Sequence, residues 1–135
     1  MAKINGLGWT TLSVDDSGGT PRDIRNDTTN FDFAMPRAVQ DVTGVDKSAI
    51  ERLLNLADFS INLNAVFNAA ANAFHAVFKT VPSTSVARTV SLAIASQTLA
   101  NECLPTDYQV TRAATGELTC AVPLVLADGT VPTWS

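Results

Sequence analysis

Residues 58–94 read D-F-S-I-N-L-N-A-V-F-N-A-A-A-N-A-F-H-A-V-F-K-T-V, then P-S-T-S, then V-A-R-T-V-S-L-A-I. The first part alternates. Phe59, Ile61, Leu63, Ala65 and Phe67 fall on one side, and Ser60, Asn62 and Asn64 on the other, the period of a half-covered strand. At Asn68 the period lengthens. Asn68 is a good N-cap residue, and the spacing predicts a helix over Ala69–Lys79. On it Phe74, Val77 and Phe78 with Ala70 form an apolar stripe, and Asn72, His75 and Lys79 a polar one. Ala69, Ala73 and Ala76 form a small-residue side for close packing. Pro82 stops the helix. Val86–Ile94 alternates again, with Val86, Arg88, Val90, Leu92 and Ile94 opposed to Ala87, Thr89, Ser91 and Ala93. Between Phe59 and Asn101 only Lys79 and Arg88 carry charge, against 16% for the chain. A stretch so neutral is expected to be covered, by its own fold or by neighbouring copies.

Working outward, Trp9–Val14 has strand composition and Asp15–Gly19 (D-D-S-G-G) turn chemistry. The polar segment 15–30 reads as an extended loop. Phe31, Phe33 and Met35 alternate until Pro36 interrupts. Gly44 marks a turn. A short helix capped by Asp46 or Thr43, with Ile50, Leu53 and Leu54 on one face, is expected next, an extended strand being the alternative. Tyr108–Arg112 and Leu118–Val122 flank A-A-T-G-E as a hairpin, and Asp128-Gly129 makes a further turn. Six or seven strands, one helix and no linker give one domain over residues 1–135. The fold class is mainly β (α+β by count), a β-sandwich or partly closed barrel with one flanking α-helix.

A net charge of −4 and a sequence pI near 4.7 argue against nucleic-acid binding and against docking on anionic membranes. The longest apolar run, Ala121–Ala127, is far below the ~20 residues of a membrane helix, and the N-terminus shows no secretory pattern. Cys103 and Cys120 are expected as reduced, partly buried thiols.

The chemistry of catalysis is missing. His75 is the sole histidine, placed mid-helix, so a Ser-His-Asp or Cys-His base is wanting. Cys103, Cys120 and His75 lack zinc spacing. No phosphate-binding glycine pattern occurs. Asp15, Asp16, Asp23, Asp27 and Asp32 match no calcium loop and read as turn formers. No enzyme activity, cofactor or metal is expected.

The strand faces say more. Ser60, Asn62, Asn64, Thr89 and Ser91 are small, polar and uncharged at outward positions where solvent-facing sheets carry Lys and Glu. They are candidates for a lumen or inter-subunit face.

These residues resemble the major tail tube proteins of long, non-contractile-tailed bacteriophages. The resemblance rests on N-F-D-F-A-M-P-R-A-V-Q-D-V-T-G-V-D-K-S-A-I-E-R-L-L-N-L-A-D-F-S-I-N-L-N-A-V-F-N, H-A-V-F-K-T-V, R-T-V-S-L, T-D-Y-Q-V-T-R and L-A-D-G-T-V-P-T-W, about the last three quarters of the chain. Order and spacing carry it; no single motif does. Ala65 stands where the pattern leads one to expect glycine. The resemblance implies a tail-tube-like β fold whose partner is itself, six copies forming a ring whose sheets join into an inner barrel. Stacked rings would let DNA through without binding it. It further implies tape-measure, tail-terminator and distal-tail proteins as partners, assembly in the host cytoplasm and a place in the virion tail. The segment with Asp15, Asp16, Arg22, Asp23 and Arg25 is the expected ring-stacking loop. A small β-barrel or sandwich module that binds a ligand or glycan is the alternative.

Overall fold

The computed structural model describes residues 3–135. Ten strands and one helix follow in order: β1 (Trp9–Asp15), β2 (Pro21–Asp23), β3 (Thr28–Ala34), β4 (Arg37–Asp41), β5 (Arg52–Ala57), β6 (Ser60–Val66), α1 (Phe74–Phe78), β7 (Arg88–Ile94), β8 (Gln97–Pro105), β9 (Gln109–Arg112) and β10 (Leu118–Leu126). The fold is mainly β, as the alternation predicts. The strands of the main sheet run β2-β1-β7-β8-β10-β6-β3, all antiparallel, with β9 added along β10.

This sheet curls on itself. β8 meets β10 over three residue pairs, Cys103–Pro105 against Leu124–Leu126, and that short ladder is the corner between two halves. The outer ends come back together at Trp9, whose ring packs edge-on to Phe31 at 5.0 Å. β1 and β3 form no ladder there, so the barrel stays open. Inward residues of both halves make one core. Leu12, Val14, Val90, Leu92 and Leu99 come from one, and Ile61, Leu63, Ala65, Val122 and Leu124 from the other, with Phe74, Val77 and Phe78 between.

The helix is much shorter than the sequence predicts. Ala69–Ala73 is turn and coil, and Asn68 is not the N-cap; Ala73 holds that position. The cause is Asp27, a buried carboxylate 47 residues away. Its Oδ2 accepts the Phe74 N–H (3.0 Å) and its Oδ1 the Asn68 amide (2.8 Å). Asn68 Oδ1 in turn accepts the Ala70 N–H, and Asn72 sits at φ 62°, outside any helix. A five-residue helix has no stability of its own. Burial of Phe74, Val77 and Phe78, on the order of 2 kcal/mol each, holds it in place.

Arg88, expected on the inward side of its strand, is fully buried there. It donates to the carbonyls of Val77 and Asp15 and to Thr80 Oγ1, and its guanidinium lies 5.6 Å from the Phe78 ring centroid. Burial lowers its pKa. One side chain thereby ties β7 to the end of α1 and to β1.

A second correction concerns residues 43–57. The expected helical turn is absent. Residues 52–57 form β5, which pairs with β4 in a separate two-stranded sheet. Ile50, Leu53 and Leu54 have no core to share a face toward: all three are exposed. Without a buried stripe, propensity alone cannot hold so short a helix, and hairpin pairing prevails.

Candidate assembly surfaces

The exposed face of β3, β6, β10 and β9 is built from the outward half of each alternation, mainly polar on β3, β6 and β9, and Thr119, Ala121, Pro123 and Val125 on β10. Across it Asn30 lies opposite Asn64, Asn64 opposite Ala121, and Ala121 opposite Gln109. The next row is Asp32, Asn62 and Pro123, in which the Asn62 amide donates to Asp32 (3.2 Å). Thr111 and Thr119 pair beside them, and Ser60 pairs with Ala34 and Val125. Asp32 is the sole charge in these rows. The surface is a lawn of amides and hydroxyls interrupted by exposed Val66 and Val125, with a shallow groove of about 380 Å³ between Thr29, Asn64, Gln109 and Thr119.

Ser60, Asn62 and Asn64 therefore form one surface with residues the sequence did not single out: Asn30, Gln109, Thr111 and Thr119. Thr89 and Ser91 are elsewhere. They look outward from β7, beside Ser13, Ala100 and Glu102, with Thr89 donating to Glu102. In the curled strand order β7 and β6 lie across the core from each other, so the two polar faces point opposite ways.

Two strand edges flank the lawn. β3 and β9 each pair on one side only among the described residues. Their directions are opposed, because β9, β10, β6 and β3 alternate antiparallel. In the β9 hairpin the Ala113 N–H donates to Glu117 (2.8 Å). By the alternation of an antiparallel ladder Thr111 then faces β10, and the Val110 and Arg112 N–H groups face away.

The β4–β5 pair prolongs the β3–β6 ribbon. Asp58 N–H donates to the Pro36 carbonyl at the junction (3.2 Å), and beyond it every residue of β4 is exposed. The arm so formed has Val39, Val45, Ile50, Leu53, Leu54 and Leu56 all more than half exposed. Soluble chains seldom leave so much apolar surface together unless something covers it. Interior alternation is what the eye reads in a sequence, and this arm has no interior.

Other singled-out residues fall as follows. Ala69 and Ala73 lie in the loop before α1, and Ala76 in α1, so they share no helix side. Within 15–30, Asp16 accepts the Thr20 N–H, which is first among the causes that lower its pKa, and pairs with Arg22 at 3.1 Å. Asp23 pairs with Arg25 at 2.9 Å, and that hydrogen bond keeps its carboxyl below the usual range. Ile24 and Asp27 are buried, which pins this segment to the body.

His75 lies half-buried against the Phe67 ring (4.6 Å), its Nδ1 2.9 Å from the Tyr108 hydroxyl, which in turn lies 3.8 Å from Cys120 Sγ. Burial raises the pKa of both Tyr108 and Cys120. Cys103 and Cys120 are free and buried, and burial pushes Cys103 up to about 12. Thiols so protonated are poor nucleophiles. Among the described residues no three His, Cys, Asp or Glu side chains cluster to hold a metal, and no helix is long and apolar enough to cross a membrane.

A curled, open antiparallel sheet with one short helix at its core and a protruding arm defines a tail-tube-like β fold. No protein-family model and no curated protein matches the chain. Among solved structures it is similar to a chain in the tail of an empty gene transfer agent particle, solved with C6 symmetry: TM-score 0.70, 17% identity, 98% of both chains covered. It is also similar to a chain of the virion of a native gene transfer agent particle, with TM-score 0.68 and 15% identity over 97% of this chain and 99% of that one. At such identities the likeness is one of fold.

Proposed function

We propose that this protein is a self-assembling tail-tube subunit, its rings stacking into a conduit for DNA. The observation that carries the reading is the β9–β10–β6–β3 face, free of cations in its rows, lying between two open edges of opposite direction. Four alternating strands allow β3 of one copy to join β9 of the next and keep the ladder antiparallel all the way round. Joining also removes both edges from solvent. The lawn then lines the lumen, where amides and hydroxyls offer phosphates no cation and Asp32 repels them. The Thr89–Ser91 face lies outside. The fold shared with a chain of a C6 tail supports six copies per ring, and the tube's ends would meet tail-terminator, distal-tail and tape-measure proteins. The arm continues the strand direction past the ring's rim. It is better placed than the pinned 15–30 segment to contact the next ring.

Val110→Pro tests the edge. It removes an N–H that faces away from β10, so the monomer is expected to fold and melt normally while rings fail to form. Rings that form as in the wild type would remove β9 from the interface.

The cleft at the open seam favours a second reading. About 580 Å³ in volume, it is lined by Trp9, Phe31, Phe33, Arg25 and Asp32, residues suited to a glycan. Saturable glycan binding by the monomer, lost in Trp9→Ala, would support that module.

A further inference from the structure

The arm holds two features that one copy cannot bring together. Its tip carries Val45, which is fully exposed. Next to it Asp46 has only Lys47, at 3.7 Å, and its carboxylate is three-quarters exposed. Gly44 shapes this tip: a Cβ there would come within 2.7 Å of the Asp46 carboxylate. At the arm's base a groove of about 650 Å³ lies between Arg37, Leu54, Leu56 and Val131. A bulge in β5 adds one residue between its pairings with Arg37 and Val39, and there Leu56 stands 90% exposed. Arg37 spends its Nε on the Asn55 carbonyl (3.0 Å) and has no acidic partner among the described residues.

We propose that the arm tip of one copy docks in the arm-base groove of a second copy, Val45 against Leu54, Leu56 and Val131, Asp46 on Arg37. This rests on the tube-subunit reading and names the contact by which one ring holds the next. The occupant follows from complementarity. The groove is apolar with a cation at its mouth that has no acidic partner among the described residues, and the tip is an apolar side chain followed at once by an exposed carboxylate held only by its neighbour Lys47. The contact is intermolecular by geometry, since the five-residue ladder of β4 alone puts roughly 17 Å between base and tip. A tip-to-base contact is also heterologous. It can therefore repeat from copy to copy, as an open-ended stack requires.

Charge reversal tests it. Arg37→Asp and Asp46→Arg are each expected to raise the protein concentration needed for tubes at least tenfold, with single rings still formed, and the double variant to restore tubes. Both side chains are exposed, so thermal melts should match the wild type. Singles that stack like the wild type, or a double variant no better than the singles, would overturn the pairing. A mixture of Val45→Cys and Leu56→Cys proteins gives a second readout that needs no tubes. Under oxidation it should yield a disulfide-linked dimer that neither variant forms alone, the native thiols being buried. No cross-linked dimer would equally overturn the contact. Absence of rings and tubes from the wild type would instead count against the tube reading itself.

Discussion

Asp27 shows how far a single residue can act beyond its neighbourhood. In sequence it is one turn-forming aspartate among five. In the fold it is 4% exposed, and its side chain accepts from the Phe74 backbone and the Asn68 amide, setting where α1 begins. No local pattern reveals a cap supplied from 47 residues away, which explains why Asn68 looked like the helix start. Asp27→Ala leaves both donors unpaired in a buried place, and a loss of about 2 kcal/mol in unfolding free energy by urea titration is expected. A loss under half a kilocalorie would mean that water replaces it freely. Cys103 makes a pH prediction with a definite sign. Its thiol titrates near 9.0 when exposed and about 12 when folded, so the folded state holds the proton more tightly. Stability is whole below pH 9 and falls as pH rises from there toward 12. Tyr108 and Cys120, both raised by burial, push the same way. Alkaline melts of Cys103→Ser should lose part of this slope.

At the scale of elements, alternation was legible wherever a strand has one buried face. Ser60–Val66 and Arg88–Leu92 follow the expected pattern residue by residue, down to Arg88 facing in, while Ile94 is only half-buried and Val86, before the strand, is exposed. The β9–β10 hairpin sits at its glycine, Gly116 at φ 100°. The arm escaped because its apolar residues serve no core of their own chain. E-R-L-L-N-L reads equally as a helix face, and only pairing with β4 decides. Replacing Ala38–Leu56 by a short Gly-Ser turn should therefore leave the thermal transition of the body almost unchanged, since no arm residue belongs to the core. The same variant should form rings and no stacked tubes by electron microscopy. A collapsed melt would show instead that the arm stabilises its own subunit.

On the scale of the whole molecule, the sequence conveyed a neutral, mainly β chain suited to assembly, and the resemblance supplied a form for it. What it could not convey was which neutral face is which. Ser60, Asn62 and Asn64 share a character with Thr89 and Ser91, and only the curl of the sheet sets the two groups on opposite sides of the core. Nor is the partnership of Asn64 with Asn30 and Gln109 visible without the strand order. The proposal that β9 to β3 forms the inner wall turns that geometry into a statement about orientation. Cryo-electron microscopy of the purified, assembled protein tests it most directly. Hollow tubes are expected in which Asn62, Asn64 and Asp32 face the lumen and β3 of each copy pairs with β9 of its neighbour. A tube lined by Thr89 and Ser91, or a protein that stays monomeric at high concentration with tail-initiation components present, would contradict the account.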